Sequence, residues 1–394
     1  MSSDLQVAVV ADAHVGNHTR MGGATHGSMN VRCKYTVSAV RRAAKEASSR
    51  QAPLFILGDL FDTYRPEAPV IAAVHDALTT PQRSVALVGN HEMVSSTPGD
   101  HALASLAEAG VVEVFDEPGV WSYSQHGHHV DCICIPYLPG NAREWFTPEF
   151  VAKVREPLPP SRDRLRVLAV HFGIIGDSTP DFLRNSHDAV PVKQVVEVAR
   201  LNGIRVVMAG NWHDRCRWEV DGVTVQQVGA LTPTGFDNPG VAGYGTVAFL
   251  NVSRALQGLD DIIAIQEITG PRFLKVTNAG QRAELEYWLS HEPPNRLYVE
   301  YHCQPGEDPD EVAARLDALD GTPGAARLEA LQVIPAAVAR SVESADGQVI
   351  DPSKPIDIVE EVARYINAMP LPASVERSEV RERVAHYLGR GAVT

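Results

Sequence analysis

Long apolar segments and basic residues are both scarce in this chain. No apolar run approaches the roughly 20 residues that a membrane-spanning helix requires, and no basic-then-apolar signal precedes Val7. Lys and Arg number 35 against 49 Asp and Glu, which gives a formal net charge of −14. That charge excludes a broadly basic coat for nucleic acid but not a local phosphate-binding site. We therefore expect a soluble, cytoplasmic protein with no membrane partner.

Cysteine is also sparse. The five cysteines are an odd number and lie far apart, and a chain of 394 residues does not need disulfides to fold, so we expect reduced thiols. Cys132 and Cys134 alternate along one predicted strand, which favours core packing over metal binding for this pair. The sequence contains no internal repeat and no low-complexity segment.

The length suggests about two to three domains. The composition, 44% hydrophobic and 21% charged, is that of an ordinary globular protein. We predict a first domain over residues 1–258, a smaller α+β domain over 259–350, and a linker with two amphipathic helices over 351–394.

Five short apolar runs each stop at polar side chains. They are Val7–Val10 before Asp12 and His14, Leu54–Leu57 before Asp59, Val85–Val88 before Asn90 and His91, Leu165–Val170 before His171, and Ile204–Ala209 before Asn211 and His213. Such runs predict buried strands whose polar ends gather at the carboxyl edge of a sheet. Helices predicted at Val31–Ser49 and Pro69–Leu78 make the first ninety residues βαβαβ, which indicates an α/β fold with parallel strands.

The periodicity changes to two in the middle of the chain. A helix is predicted over His101–Ala109, and the segments Val111–Phe115, Val120–Tyr123 and Val130–Tyr137 resemble antiparallel strands. The four prolines of Pro148–Asp163 predict a surface connection. Asp221-Gly222 is a strong hairpin signal between two further strands. We therefore expect a mixed sheet.

The residue types at the strand ends suit a metal centre. A pair of divalent ions that activates water for in-line attack on a phosphodiester needs a bridging anionic oxygen together with imidazole and amide ligands. Six side chains supply these groups: Asp12, His14, Asp59, Asn90, His171 and His213. One such histidine alone would more often be structural, but six ligand-type residues at corresponding strand ends favour two metals.

The motifs resemble those of the calcineurin-like metallophosphoesterase superfamily. They are D-x-H at Asp12–His14, G-D-x-x-D at Gly58–Asp62, G-N-H-E at Gly89–Glu92, the lone His171, and G-x-x-H at Gly210–His213. Within that superfamily, Asp12–Gly16 and Gly58–Thr63 are most similar to the SbcD-type nuclease subunit of the double-strand-break repair complex. The resemblance implies a mixed-sheet α/β/β/α sandwich with a smaller capping domain and C-terminal helices.

The resemblance also implies roles for individual residues. One metal would bind Asp12, His14 and His213, the other would bind Asn90, His171 and Asn211, and Asp59 would bridge them; His91 would be the catalytic acid, with Asp62 and Glu92 orienting imidazoles. The ions of this family are normally manganese. Asn211 stands where the family has histidine, so the second metal would bind more loosely or Asp214 would substitute.

The implied function is a manganese-dependent DNA exonuclease, with endonuclease action in addition, that works in DNA repair, recombination or replication. Its expected partners are DNA, an SbcC-like ATPase that docks on residues 351–394, and a second copy of the chain. Residues 259–350 would cap the DNA, and His18, Arg20 and Arg65 could contact its phosphates. Two alternatives remain: a small-molecule or cyclic-nucleotide phosphodiesterase with the same centre, and a non-catalytic scaffold with a degraded site.

Overall fold

The structure is a computed structural model. It describes residues 4–19, 21–80, 83–156, 158, 164–177, 179, 183–236, 244–291, 296–320, 327–336, 342–343 and 349–350. Two compact units divide the chain, Met1–Ile334 and Pro335–Thr394. The two C-terminal helices predicted within 351–394 lie outside the described residues.

The strands of the described residues follow one another in this order: β1 (Gln6–Val10), β2 (Thr25–His26), β3 (Met29–Asn30), β4 (Leu54–Ile56), β5 (Ser84–Leu87), β6 (Glu113–Phe115), β7 (Gly119–Gln125), β8 (His128–Ile135), β9 (Arg164–His171), β10 (Gly173–Ile175), β11 (Ala189–Pro191), β12 (Val206–Gly210), β13 (Cys216–Val220), β14 (Val223–Gln227), β15 (Tyr244–Asn251), β16 (Ile263–Thr269), β17 (Arg272–Val276), β18 (Arg296–His302), β19 (Arg327–Ile334), β20 (Val342–Glu343) and β21 (Val349–Ile350).

The helices of the described residues are α1 (Val31–Ser49), α2 (Ala68–Leu78), α3 (Ala104–Glu108), α4 (Ala142–Trp145), α5 (Pro148–Arg155), α6 (Val192–Leu201), α7 (Val252–Leu256), α8 (Ala279–His291) and α9 (Pro309–Leu319). None of them is long and apolar enough to cross a membrane. Helix α1 begins where the Asn30 side chain accepts a hydrogen bond from the Cys33 amide at 2.8 Å, a typical N-cap.

Two six-stranded sheets form the body of the first unit. The first has the order β16-β15-β1-β4-β5-β6, with β1, β4, β5 and β6 parallel and β15 antiparallel to both of its neighbours. The second has the order β13-β14-β12-β9-β8-β7, parallel from β14 to β8 and antiparallel at both edges. Strand β16 follows the domain boundary predicted at residue 258, yet it is an edge strand of the first sheet.

The alternation of side chains along the strands makes three apolar layers. On β1, Val7 and Val9 belong to the cluster shared by the two sheets, whereas Ala8 and Val10 pack with helix α1. Side chains from both sheets fill the middle layer, among them Phe55, Leu87, Trp121, Cys132, Cys134, Val167 and Met208. The other face of the second sheet packs against α5 and α6. The predicted α/β/β/α sandwich is therefore confirmed.

A smaller three-stranded parallel sheet, β17-β18-β19, follows the sandwich in the first unit. Helices α8 and α9 contact each other, and each contacts a strand of this sheet. Its core contains the fully buried side chains of Leu285, Leu289, Tyr298 and Leu316. The division of this region into a separate domain over 259–350 stays a prediction.

Four local predictions differ from the structure. The segment at Val111–Phe115 was expected to be antiparallel, but β6 pairs parallel with β5. Likewise, β8 is antiparallel only to β7 and runs parallel to β9. The proline-rich connection contains helix α5, because Thr147 caps it and Pro148 occupies its first turn, where no amide hydrogen is needed. The helix expected over His101–Ala109 is shorter, as α3 has only five residues.

Candidate metal centre

The carboxyl ends of strands from both sheets meet at one edge of the sandwich. Strand β1 leads to Asp12 and His14, β4 to Asp59, and β5 to Asn90. From the second sheet, His171 ends β9, and Asn211 and His213 follow β12. Parallel strands place their carboxyl ends side by side, which is why residues distant in sequence converge here.

The ligand-type atoms lie within a few ångströms of one another. The Nε2 atoms of His14 and His213 are 3.1 Å apart. Asp59 Oδ2 lies 3.8 Å from His14 Nε2 and 3.4 Å from His171 Nε2. Asn90 Oδ1 is 3.1 Å from His171 Nε2. Asp59 therefore stands between a group that contains His14 and His213 and a group that contains His171 and Asn90.

Three overlapping sets of side chains have ligand atoms within 4.8 Å of one another and could each hold an ion. They are Asp12, His14 and His213; Asp12, Asp59 and His171; and His14, Asp62 and His91. Asp12 and Asp59 are buried, with relative exposures of 0% and 1%. Two buried carboxylates are costly without positive charge between them, so this donor set fits divalent cations.

Two of the three candidate ligand imidazoles, His171 and His213, have a hydrogen-bond contact at Nδ1. His171 Nδ1 lies 2.5 Å from the Leu57 carbonyl oxygen, so it donates its hydrogen there. His213 Nδ1 lies 3.0 Å from the Thr234 hydroxyl. The Leu57 carbonyl can only accept, so Nδ1 of His171 carries the hydrogen, and in the neutral ring the Nε2 lone pair is left for a metal. The Thr234 hydroxyl, which can donate or accept, holds the His213 ring in place. Thr234 was not found from the sequence, since nothing local marks it as a neighbour of His213.

Close packing at the strand ends requires glycine. A Cβ atom on Gly89 would lie 2.1 Å from Asp59 Oδ1, and one on Gly58 would lie 2.2 Å from His171 Nδ1. Gly58 also has φ +90°, a conformation that other residues rarely adopt. These two glycines let the backbone approach the ligands directly, which explains why they precede the polar residues in the motifs.

Backbone strain is concentrated at the same place. Asp12, His14, Asp59 and Asn211 all have positive φ angles, of 51°, 46°, 50° and 83°. Such residues cost on the order of 1–3 kcal/mol each and persist only where surrounding contacts enforce them. The amide of Asp12 donates to the Gly58 carbonyl at 3.1 Å, and the amide of His14 donates to the Asp59 carbonyl at 3.0 Å. The strained segments therefore support each other.

The electrostatics differ between the imidazoles of the site: the pKa of His213 is lowered, whereas the pKa values of His14 and His171 are raised. Burial, with a further contribution from Asp59, raises the pKa of Asp12 to about 6. Burial and the neighbouring His14 lower the pKa of His213 to about 3, which keeps this ring in the neutral form that binds metals. Burial opposes the charge of Asp59, but His171 outweighs it and holds the pKa of Asp59 below its usual value. Burial likewise opposes the charge of His171, but Asp59 outweighs it and raises the pKa of His171 to about 9, so this ring would have to lose its proton for a metal to bind through Nε2.

His91 lies beside Asp59 and belongs only to the set that it forms with His14 and Asp62. Its amide donates to Asp59 Oδ1 at 3.0 Å, and its ring meets that of His14 edge-on with centroids 4.6 Å apart. His91 Nδ1 lies 3.0 Å from the Asp62 carbonyl oxygen. The ring is exposed and lines a cavity of about 640 Å³, next to His14 and His213. This is the placement expected of a proton donor to substrate.

The two predicted orienting carboxylates behave differently. Asp62 lies 3.4 Å from His14 Nδ1 and 3.3 Å from His18 Nδ1, so it does contact imidazoles. Glu92 is fully buried and accepts hydrogen bonds from the amides of Phe61 (3.0 Å) and Gly89 (2.9 Å). Glu92 therefore ties the loops after β4 and β5 together and contacts backbone in place of the expected imidazole.

The second metal's weakest predicted ligand has an unexpected neighbour. Asn211 Nδ2 lies 3.1 Å from Asp188 Oδ2, and Asp188 was not found from the sequence because it follows no strand motif. Asp214, the predicted substitute, is exposed and lines the same cavity as Asn211, and its carbonyl accepts from Gln227 at 2.5 Å.

Two of the three predicted DNA-contact residues, His18 and Arg65, line one cavity. His18 is half-buried, and burial lowers its pKa to about 4. Its Nε2 lies 3.0 Å from the His14 carbonyl oxygen. Arg65 is exposed and lines a cavity of about 330 Å³ together with His18 and Arg32. Arg20 lies outside the described residues.

Comparisons with known proteins do not assign the chain to a family. No protein-family model and no curated protein matches it. Among solved structures it is similar to a protein of Thermus thermophilus (11% identity, 67% of this chain and 99% of that chain, TM-score 0.40). It is similar to a dimetal phosphatase from Danio rerio (10%, 67% and 95%, TM-score 0.40) and to an archaeal phosphodiesterase (13%, 67% and 100%, TM-score 0.33). Similarity at this level says nothing about the reaction that this chain performs.

Proposed function

We propose that this chain hydrolyses phosphodiester bonds at a two-metal centre. The observation that carries the proposal is the convergence of His14 Nε2 and His213 Nε2 at 3.1 Å, with Asp59 within 3.8 Å of both His14 and His171. Asp12, His14 and His213 would hold one ion and Asn90, His171 and Asn211 the other, with Asp59 between them. Carboxylate, amide and imidazole donors together suit manganese. When bound, such ions neutralise phosphodiester charge and activate water for in-line attack.

His91 acts as the general acid in this proposal. Its Nδ1 donates to the Asp62 carbonyl, so Nε2 is the nitrogen that can give a proton to the leaving oxygen. Its exposure lets the ring regain a proton from solvent after each turnover. The Asp59 carboxylate, which accepts from the His91 amide, fixes the distance between the acid and the metal ligands.

The proposed substrate is DNA. This part of the proposal is supported by the likeness of Asp12–Gly16 and Gly58–Thr63 to the SbcD-type nucleases, and by Arg32 and Arg65 lining the cavity of about 330 Å³ in a chain that is acidic overall. We infer a manganese-dependent exonuclease, with endonuclease action, for DNA repair, recombination or replication. It would cap DNA with residues 259–350, dock an SbcC-like ATPase on 351–394 and form a homodimer.

An assay on end-labelled linear and circular duplex DNA with added Mn²⁺ tests the proposal. We expect the native chain to release label from linear DNA, and His91→Ala to bind metal without cleaving. Turnover of bis-p-nitrophenyl phosphate with no release of label from DNA would reject the DNA substrate. Fewer than one bound ion per chain and no cleavage would support the scaffold alternative.

The second candidate function is a small-molecule or cyclic-nucleotide phosphodiesterase. One observation favours it. The 640 Å³ cavity beside His91 also has Ile174, Leu183 and Trp212 in its lining, which suits one nucleoside-sized group. Activity on cyclic nucleotides that exceeds activity on DNA would favour this alternative.

A further inference from the structure

Asn211 is held by its backbone at the edge of the candidate metal centre. Its amide donates to both oxygens of the Asp12 carboxylate, at 3.0 and 3.1 Å. It also has a positive φ of 83°, which the short side chain of asparagine tolerates better than most. The Asn211 side chain therefore starts from a fixed position next to a predicted metal ligand and lines the cavity that contains His14 and His213.

The Asn211 side chain has its nitrogen turned to Asp188. Nδ2 lies 3.1 Å from the Asp188 carboxylate oxygen Oδ2 and 3.4 Å from the Asp188 carbonyl oxygen. Both partners are acceptors, so only the NH₂ end of the amide can face them. Chemistry thus fixes the amide orientation, which atomic positions alone would leave ambiguous. The amide oxygen is the end that remains available as a ligand.

Asp188 is itself well anchored. The Ser186 hydroxyl hydrogen-bonds to its other carboxylate oxygen, and the amide of Gly173 donates to its carbonyl at 2.9 Å. The Arg143 side chain donates to the carbonyl oxygens of Ala189 (3.1 Å) and Ser186 (3.3 Å) on either side of it. A loop braced in this way can hold a neighbouring side chain in one orientation at little entropic cost.

We propose that Asp188 is a positioning residue that presents the Asn211 oxygen to the second metal. The proposal rests on the two-metal function proposed above. With the Asn211 oxygen as a ligand, the second metal would have three oxygen donors, from Asp59, Asn90 and Asn211. His171 would be its imidazole ligand. Oxygen ligands suit Mn²⁺ and Mg²⁺, whereas an additional imidazole would suit Zn²⁺ better. The Asp188–Asn211 pair therefore also sets which ion occupies the second position.

Titration calorimetry of Mn²⁺ into chelator-treated full-length chain tests this inference. We expect two bound ions in the native chain, and in Asp188→Ala one of the two to bind about 10–100-fold more weakly, the usual effect of losing an orienting group. Asp188→Asn, which keeps an acceptor oxygen, should lose less. In the Asn211→Ala chain, adding Asp188→Ala should not weaken Mn²⁺ binding any further. Native affinity for both ions in Asp188→Ala, or an undiminished effect in the Asn211→Ala background, would overturn the proposal.

A second measurement separates this proposal from the function on which it rests. Competition between Zn²⁺ and Mn²⁺, followed by metal analysis, should shift toward Zn²⁺ in Asn211→His, and an unchanged ratio would reject the Asn211 oxygen as ligand. A native chain that binds fewer than two ions would overturn the two-metal function together with the role of Asp188. A native chain that binds two ions, with Asp188→Ala indistinguishable from it, would overturn the role of Asp188 alone.

Discussion

The Nε2 atoms of His14 and His213 face each other at 3.1 Å although 199 residues separate the two histidines. They cannot both donate, and the Nδ1 of His213 is already engaged by Thr234 at 3.0 Å. Burial lowers the pKa of His213 to about 3, which keeps this ring neutral, whereas Asp62 and Asp59 outweigh burial and raise the pKa of His14. A metal cation satisfies both lone pairs at once, which is why this pair is the strongest sign of the first metal position.

His213→Ala should remove one metal ion per chain. Asp12, His14 and the shared Asp59 remain at that position but hold the ion weakly without the second imidazole, whereas the position of His171 and Asn90 is untouched. Metal analysis after dialysis against Mn²⁺ measures the stoichiometry. Thr234→Val is the matched control, because it removes only the contact to Nδ1 and should weaken binding about 10–100-fold without removing the site. Two ions retained in His213→Ala would contradict the assignment.

His91→Ala should retain both metals and lose most cleavage. General acid catalysis contributes about 10²–10⁴-fold, and its value depends on how poor the leaving group is. We therefore expect a large loss on DNA and a much smaller loss on bis-p-nitrophenyl phosphate, whose leaving group needs no proton. Parallel measurement of kcat on the two substrates checks this. Equal losses on both would show that His91 serves substrate binding or the metals and is not the acid.

The parts of the site that could be predicted have local signals. Each ligand follows an apolar run, and α1 was predicted with the bounds that the structure shows, because its apolar stripe is continuous and Asn30 caps it. The α/β/β/α sandwich followed from the resemblance that these motifs carry. The pairing of His14 with His213 was expected only from that resemblance, because it depends on the order of strands in two sheets, which no local pattern shows.

The features that were missed have no local signal. Asp188 and Asn211 lie on two loops and are 23 residues apart in the sequence, so no short sequence motif contains both. The alternation of Glu113–Phe115 indicates a strand but not the direction of its partner, which proved parallel. Helix α8 was also missed, because Leu285 and Leu289 are its only fully buried apolar side chains among the described residues, too few for an amphipathic stripe.

Removal of metal should destabilise the fold. Asp12 and Asp59 are buried and close enough that Asp59 helps to raise the pKa of Asp12, so the metal-free chain carries an unfavourable pair that cations relieve. An ion that binds only the folded state raises the free energy of unfolding by about 2.7 kcal/mol at a concentration 100 times its Kd. Thermal unfolding in chelator and in Mn²⁺ should show a higher Tm with Mn²⁺. Asp59→Asn with an equal Mn²⁺-dependent rise in Tm would argue against this site.

An ion pair away from the metal centre gives a prediction about acid stability. Asp131 on β8 is fully buried and bonds to the Arg164 guanidinium and, at 2.6 Å, to the Ser122 hydroxyl. Burial alone would raise the pKa of Asp131, but these two partners outweigh it and hold the pKa below its usual value. A lowered folded pKa means that the pair stabilises the protein above the unfolded pKa, and that this stability is lost as pH falls through the folded pKa.

Asp131→Asn should therefore lower the free energy of unfolding by about 2 kcal/mol near neutral pH. This is less than the roughly 3–5 kcal/mol expected for breaking a fully buried pair, because the Arg164 side chain is 21% exposed. The difference from the native chain should begin to narrow below about pH 4, near the pKa of an ordinary Asp, and should close only once the pH has fallen through the lowered pKa of the native carboxylate. Urea unfolding of the native chain and of Asp131→Asn, near neutral pH and in acid below the native pKa of Asp131, measures the difference in unfolding free energy under both conditions. Asp221→Asn is the matched control: its pair with Arg200 at 3.1 Å is exposed, so the change should cost below about 1 kcal/mol. A gap that stays constant with pH would mean that the Asp131 charge contributes nothing and that shape alone is responsible.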